Sequence, residues 1–238
     1  MQKVIIIGAS SGIGRELAKI FATEGYTVGV TARRLEKLQA LADEIGTSVF
    51  FRKMDVKDTE GSIQSLNELV VEMGGADLVI LCAGIGHLNP DLDWRLEEDT
   101  IETNVFGFTA MADTAMTFFL KQGTGHLVGI SSISAVRGDS TGPAYSASKA
   151  FVSNYLEGLA KKAYKENPAI KVTDVQLGLV DTAMAKGEGL FWVAPVEKAA
   201  KQIFKAIRAE KSKVYVTKRW ALIALLLKLM PRFLYNRI

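Results

Sequence analysis

Val4-Ile5-Ile6-Ile7 is an unbroken β-branched run that opens directly onto Gly8-Ala9-Ser10-Ser11-Gly12-Ile13-Gly14-Arg15. No other junction in the chain constrains the fold so tightly. A continuous apolar run suits a strand covered on both faces, and such strands belong to parallel sheets with helices on either side. Glycines at the following turn let the backbone come close to a ligand, and the free amides of a helix starting there attract phosphate. The spacing is Gly-x-x-x-Gly-x-Gly, not the commoner Gly-x-Gly-x-x-Gly. Its position straight after the first strand therefore carries the dinucleotide reading over that of an ordinary tight turn.

The rest of the chain repeats this alternation. Apolar runs at 3–7, 26–31, 48–52, 78–81, 126–130, 172–177 and 214–217 read as strands. Longer amphipathic segments at 12–23, 35–45, 61–73, 96–120, 143–164 and 196–209 read as helices, with Pro143 suited to a first helical position. The expected fold class is α/β: one doubly wound (Rossmann-type) parallel sheet of seven strands with helices on both faces. At 238 residues the chain supports one substantial core. Residues 1–218 are expected to form the dinucleotide-binding and catalytic domain, and 219–238 an apolar, basic tail.

Composition narrows the function. With 48% apolar and 23% charged residues, wholesale disorder is excluded. A net charge of +3, with basic residues spread along the chain, argues against nucleic-acid binding. Cys82 is the sole cysteine and suits a reducing cytoplasm. The two histidines, His87 and His126, lack partners at metal-ligand spacing, so no metal site is expected. Glu97-Glu98-Asp99 reads as the acidic first turn of a helix.

The chemistry is concentrated in Tyr145-Ser146-Ala147-Ser148-Lys149. Four residues apart on a helix, phenol and ammonium leave the same face. A neighbouring cation favours the phenolate, drawing the tyrosine down from ~10 toward a range useful for proton exchange. The bland alternative is a tyrosine beside a solvated lysine. Upstream, Gly129-Ile130-Ser131-Ser132 delivers hydroxyls to the carboxyl edge of the sheet, where ligands bind in such folds.

Gly8, Gly12 and Gly14, then Asn104, Ser132, Tyr145 and Lys149 follow the order and spacing of one family, and in them the chain resembles the short-chain dehydrogenases/reductases. The resemblance implies Tyr145 as the acid/base group and Ser132, rather than Ser131 or Ser134, polarising the substrate carbonyl. By the same resemblance Lys149 would hold the cofactor ribose while biasing the tyrosine, and Asn104 would anchor a water that replenishes the proton. It also implies a dinucleotide lying against Gly8, Ser10, Ser11, Gly12, Ile13, Gly14, Ala83, Gly84, Tyr145, Lys149, Gly178, Val180 and Thr182. Asp55-Val56 resembles the family's adenine-contacting pair, with a helix-capping Asp55 the equal alternative. Two departures stand out: Leu81-Cys82-Ala83-Gly84 replaces Asn-Asn-Ala-Gly, and Leu177-Gly178 replaces Pro-Gly.

Cofactor choice is read at the end of the second strand, where Thr31-Ala32-Arg33-Arg34 holds no carboxylate for ribose hydroxyls. Two guanidiniums there favour a 2′-phosphate, hence NADPH/NADP+ over NADH. The expected activity is an NADPH-dependent carbonyl reductase, or alcohol dehydrogenase in reverse, acting on a small hydrophobic carbonyl or alcohol. The rivals are a 3-oxoacyl-carrier-protein reductase and a non-catalytic dinucleotide sensor. A lid over 181–194 would present Met184, Leu190, Phe191 and Trp192, with Gly187 and Gly189 as hinges. A homodimer or homotetramer is expected through Ala110, Ala112, Ala115, Phe151 and Leu159. The uncharged segment 220–227, flanked by Lys218, Arg219, Lys228, Arg232 and Arg237, is too short to span a membrane. It is expected to pack mainly against protein, with peripheral lipid contact the lesser alternative.

Overall fold

The computed structural model describes residues 1–46, 49–184 and 191–237. Seven strands, β1 (Lys3–Ile7), β2 (Thr27–Ala32), β3 (Val49–Lys53), β4 (Leu78–Leu81), β5 (Gly125–Ser132), β6 (Ile170–Leu177) and β7 (Lys213–Val216), form one sheet in the order β3-β2-β1-β4-β5-β6-β7. Every pairing is parallel. The strand order reverses direction between β1 and β4, which opens a crevice at their carboxyl ends.

The apolar run of β1 shows why both faces are covered. Ile5 and Ile7 enter one core with α3 (Thr59–Glu72), α5 (Phe108–Gln122) and α6 (Pro143–Glu166). Val4 and Ile6 enter the other with α1 (Gly12–Thr23), α2 (Leu35–Ile45) and α7 (Val196–Arg208). Alternate side chains of one strand thus feed two cores, so no polar position is tolerated.

Two differences from the sequence reading matter. The helix expected over 96–120 is α4 (Trp94–Ile101), a π-helical turn over Glu102–Gly107, and then α5. Asn104 lies inside the π turn, so the asparagine is not an interior residue of a regular α-helix. Helix α3 begins at Thr59 because Asp58 caps it, accepting from the Gly61 amide at 3.0 Å; Asp55 is therefore not the cap. Ser48, expected to open β3, lies outside the described residues. The tail forms α8 (Trp220–Leu229) and, after Pro231, the short α9 (Arg232–Tyr235).

Candidate active site

The crevice is walled on one side by backbone. The Gly8 and Ala9 amides both donate to Thr31 O, at 2.8 and 3.0 Å, and the Cys82 and Ala83 amides both donate to Ile7 O at 2.8 Å. Gly8 has φ +93°, and a Cβ there would lie 2.4 Å from the Ala83 nitrogen. A Cβ on Gly14 would lie 2.3 Å from the Gly8 carbonyl oxygen, so α1 packs directly on the turn. Ser11 precedes α1 and makes no side-chain cap, leaving its first amides for a ligand.

Arg34 reaches this loop, donating to Ser10 Oγ at 2.8 Å and Ser11 Oγ at 3.2 Å. Arg33 is exposed beside it. Thr182 closes the loop from the other side, its Cγ2 lying 3.4 Å from the position of a Gly12 Cβ. Val180 is buried and bridges Ala194, pinning the base of the segment expected to be a lid. Leu190, Gly187 and Gly189 lie outside the described residues. Met184, Phe191 and Trp192 are exposed. An uncapped helix start, a close-approach glycine turn and a nearby guanidinium are the donor set that a dinucleotide phosphate requires.

Side chains build the opposite wall. Ser132, at the end of β5, accepts from the Ser134 amide at 3.1 Å, capping a 3-10 turn over Ile133–Val136, and its hydroxyl is near enough to the Tyr145 phenol to favour the ionised form. It is thus a turn former and a site hydroxyl at once. Ser131 is committed elsewhere, donating to the buried Asp174 carboxylate, which Ser153 and Gln176 also meet. Lys149 is buried and donates to Ile130 O at 3.1 Å, with Nζ 5.8 Å from the Tyr145 ring centre. Asn104 is fully engaged: Oδ1 accepts from the Ile85 amide at 2.9 Å, and Nδ2 donates to Ile85 O at 2.8 Å and Ser148 Oγ at 3.0 Å. Gly84 sits between the two, a Cβ there lying 3.2 Å from Lys149 Nζ and 3.3 Å from Asn104 Oδ1.

The electrostatics correct one expectation. Burial holds the Tyr145 phenol above its usual value, opposed only by the Ser132 hydroxyl; the lysine does not draw it down. Burial instead lowers Lys149 to about 8, against the pull of Cys82 and Asp174. Desolvation by burial outweighs a cation several ångströms away whose own charge is penalised. The Cys82 thiol is pushed up to about 12 by burial, so it is a small apolar filler where the family has asparagine.

Further residues were not legible as parts of the site. Glu97 accepts from the Ala144 amide at 2.9 Å and from Asn89 Nδ2 at 2.6 Å, so a carboxylate on α4 caps the helix that carries Tyr145. Gly86 lies flat against the Tyr145 ring, where a Cβ would be 2.8 Å from Cδ2. Trp220 fills the space above Gly178, where a Cβ would lie 2.1 Å from its ring. Asp55 accepts from the Lys57 amide at 3.2 Å, while Val56 is buried against Gly107 of the π turn. His87 pairs with Asp99 at 2.9 Å, and His126 with Thr173 at 2.8 Å. Ala112, Ala115 and Leu159, expected at a subunit contact, are buried in the chain's own core because that helical face packs on the sheet; Ala110 and Phe151 pack partly against it.

A family model described as short chain dehydrogenase matches residues 2–190. The chain belongs to the short-chain dehydrogenase family. An uncharacterized oxidoreductase of Mycobacterium tuberculosis is 34% identical over 247 residues, covering 99% of this chain and 96% of that one. Another, of Myxococcus xanthus, is 36% identical over 185 residues, covering 76% and 72%. Among solved structures, a short-chain dehydrogenase from Streptomyces avermitilis superposes with a TM-score of 0.82 at 25% identity, covering 95% and 91%. An alcohol dehydrogenase of Thermococcus sibiricus complexed with 5-hydroxy-NADP gives 0.79 at 22% identity, covering 90% and 95%, a likeness of fold. This member of the family is an NAD(P)-dependent oxidoreductase.

Proposed function

We propose that the protein is an NADPH-dependent carbonyl reductase acting on a small hydrophobic ketone or aldehyde, and on the corresponding alcohol in reverse. The observation that carries this reading is the meeting of Ser132 and Tyr145 beside the buried Lys149, at the sheet edge opposite the glycine turn. A reduced nicotinamide, when bound, supplies the hydride. The cofactor would be held by Gly8, Ser10, Ser11, Gly12, Ile13 and Gly14 at its phosphates. Ala83, Gly84, Gly178, Val180 and Thr182 would line the path to the nicotinamide, with Asp55 and Val56 near the adenine. Arg34, already aimed at Ser10 and Ser11, supports a 2′-phosphate grip together with Arg33.

The chain's own residues then move one proton. Ser132 donates to the carbonyl oxygen as negative charge develops on it. Tyr145, kept protonated by burial, gives its phenolic proton to that oxygen. Lys149, lowered to about 8, still carries its proton at neutral pH and returns it toward the phenolate. Asn104 holds the 84–86 loop against α6, which keeps Lys149 and Gly84 in register. Residues 1–218 make up the catalytic domain in this reading, and a cytoplasmic setting suits the lone cysteine. A panel of ketones, aldehydes and 3-oxoacyl thioesters, followed by NADPH absorbance, tests it. Turnover confined to the thioesters, or absent from every carbonyl, would overturn it.

A further inference from the structure

Helix α8 has two apolar faces, and only one of them is covered. Trp220 and Ala224 are buried against the chain itself, Trp220 over Gly178 and in contact with the Phe191 and Trp192 rings at 5.3 and 6.2 Å between centres. Leu222, Leu225, Leu226 and Leu229 are each more than half exposed. Their i, i+3, i+4, i+7 spacing makes one continuous stripe. Phe233 on α9, 65% exposed, extends it.

This is a fixed surface, not a loose end. Arg137, just past the 3-10 turn that follows Ser132, donates to the carbonyls of Leu227 and Met230 and stacks on Tyr235 at 5.2 Å. Tyr235 donates to Gly138 O at 2.6 Å, and Arg219 donates to Trp192 O at 3.0 Å. The stripe is thus held outward by bonds made on the other side. A leucine row displayed this way costs solubility unless something covers it.

Charge decides what that something is. Residues 211–238 contain no Asp or Glu, while Lys218, Lys228, Arg232 and Arg237 border the stripe. Two copies meeting through this face would set one basic border against another with no carboxylate from the segment to meet either. An anionic surface answers both the apolar row and the basic border. No described helix is long and apolar enough to cross a membrane, and a segment of this length on a bilayer would lie in the interface. We propose that α8 and α9 form a docking surface for an anionic lipid bilayer. Leu222, Leu225, Leu226, Leu229 and Phe233 enter the acyl boundary, and the bordering cations sit among the phosphates. Because Trp220 bridges this helix to the end of β6, docking holds the carboxyl edge of the sheet beside the lipid.

Flotation of the full chain with phosphatidylglycerol–phosphatidylcholine vesicles tests the proposal, against phosphatidylcholine alone and against raised salt. The expected result is flotation with the anionic vesicles, weakened by salt, and at least about tenfold weaker binding for Leu225→Glu/Leu229→Glu. Both positions are exposed, so an unchanged melting temperature confirms that the variant is folded. Lys228→Glu/Arg232→Glu should lose the preference for anionic over neutral vesicles. The proposal is overturned if the protein stays out of the lipid fraction, or if the leucine variant floats like the parent. It is equally overturned if sedimentation shows a dimer that the leucine variant splits while vesicles capture neither.

Discussion

The two walls of the crevice are built from different materials. Around β1 the wall is backbone: Gly8 held at φ +93°, Gly14 against the Gly8 carbonyl, and paired amides on Thr31 and Ile7. Around β5 and α6 it is side chains arriving from distant segments: Glu97 on the Ala144 amide, Asn104 on Ile85 and Ser148, and Lys149 on Ile130. A backbone wall tolerates almost no added atom but is indifferent to most side chains. A side-chain wall tolerates small shifts but loses function when one partner goes. Cofactor capture and proton transfer should therefore fail separately.

The largest effect is expected from Gly8→Ala, which meets both a left-handed φ and a backbone nitrogen 2.4 Å away. Strain and overlap together should cost about 4 kcal/mol of stability and remove NADPH binding. A melting curve with a cofactor titration reads both, and tight NADPH binding by this variant would break the backbone side of the comparison. Next comes the buried Lys149, whose folded value near 8 lies below its unfolded value of 10.5. The unfolded chain holds that proton over a range where the folded one has released it, so this group's contribution to stability rises as pH climbs from about 8 to 10.5 and is lost as pH falls back, while the buried Cys82 thiol, raised from 9.0 to about 12, acts in the opposite sense above pH 9.0. The full swing is on the order of 3 kcal/mol. Lys149→Met should abolish that rise in urea melts of the cofactor-free protein, and persistence of the same rise would place the titration elsewhere.

Arg33→Ala/Arg34→Ala should erode the preference for NADPH over NADH by about 10–150-fold, the worth of roughly 1.5–3 kcal/mol in charged hydrogen bonds. Equal kcat/KM for the two cofactors in the parent protein would contradict the phosphate grip. The smallest effect belongs to Glu97→Ala, which strands the Ala144 amide and Asn89 at a cost of about 1–2 kcal/mol. It should lower kcat more than it weakens NADPH binding, because it loosens the helix under Tyr145 and leaves the glycine turn alone. Glu97→Gln, which keeps an acceptor oxygen, should recover part of the loss. Equal damage to binding and turnover would blur the two walls into one.

The same division explains what was legible in the sequence. Runs such as Val4–Ile7 report burial on both faces directly, and glycines at a strand end report backbone constraints, so the sheet, its helices and the tight glycine turn could be read locally. The side-chain wall depends on partners dozens of residues apart. Nothing in Glu97-Glu98-Asp99 says that Glu97 caps a helix beginning at Pro143. The π turn at Asn104 was invisible because the Asn104 side chain bonds to Ile85 and Ser148, segments far away in the sequence. The Tyr145–Lys149 spacing located the pair, yet burial, which spacing does not encode, reversed the expected direction of the phenol's shift. Asp55 and Asp58 stand three residues apart, and only the backbone path distinguishes the helix cap from its neighbour.

Tyr145→Phe tests the central claim most directly, since it removes one oxygen from the side-chain wall and touches nothing in the backbone wall. With chemistry rate-limiting, kcat should fall by about two decades or more, in the ~10²–10⁴ range of positioned acid catalysis, while the NADPH dissociation constant stays near that of the parent. Turnover retained at the parent rate would contradict the account.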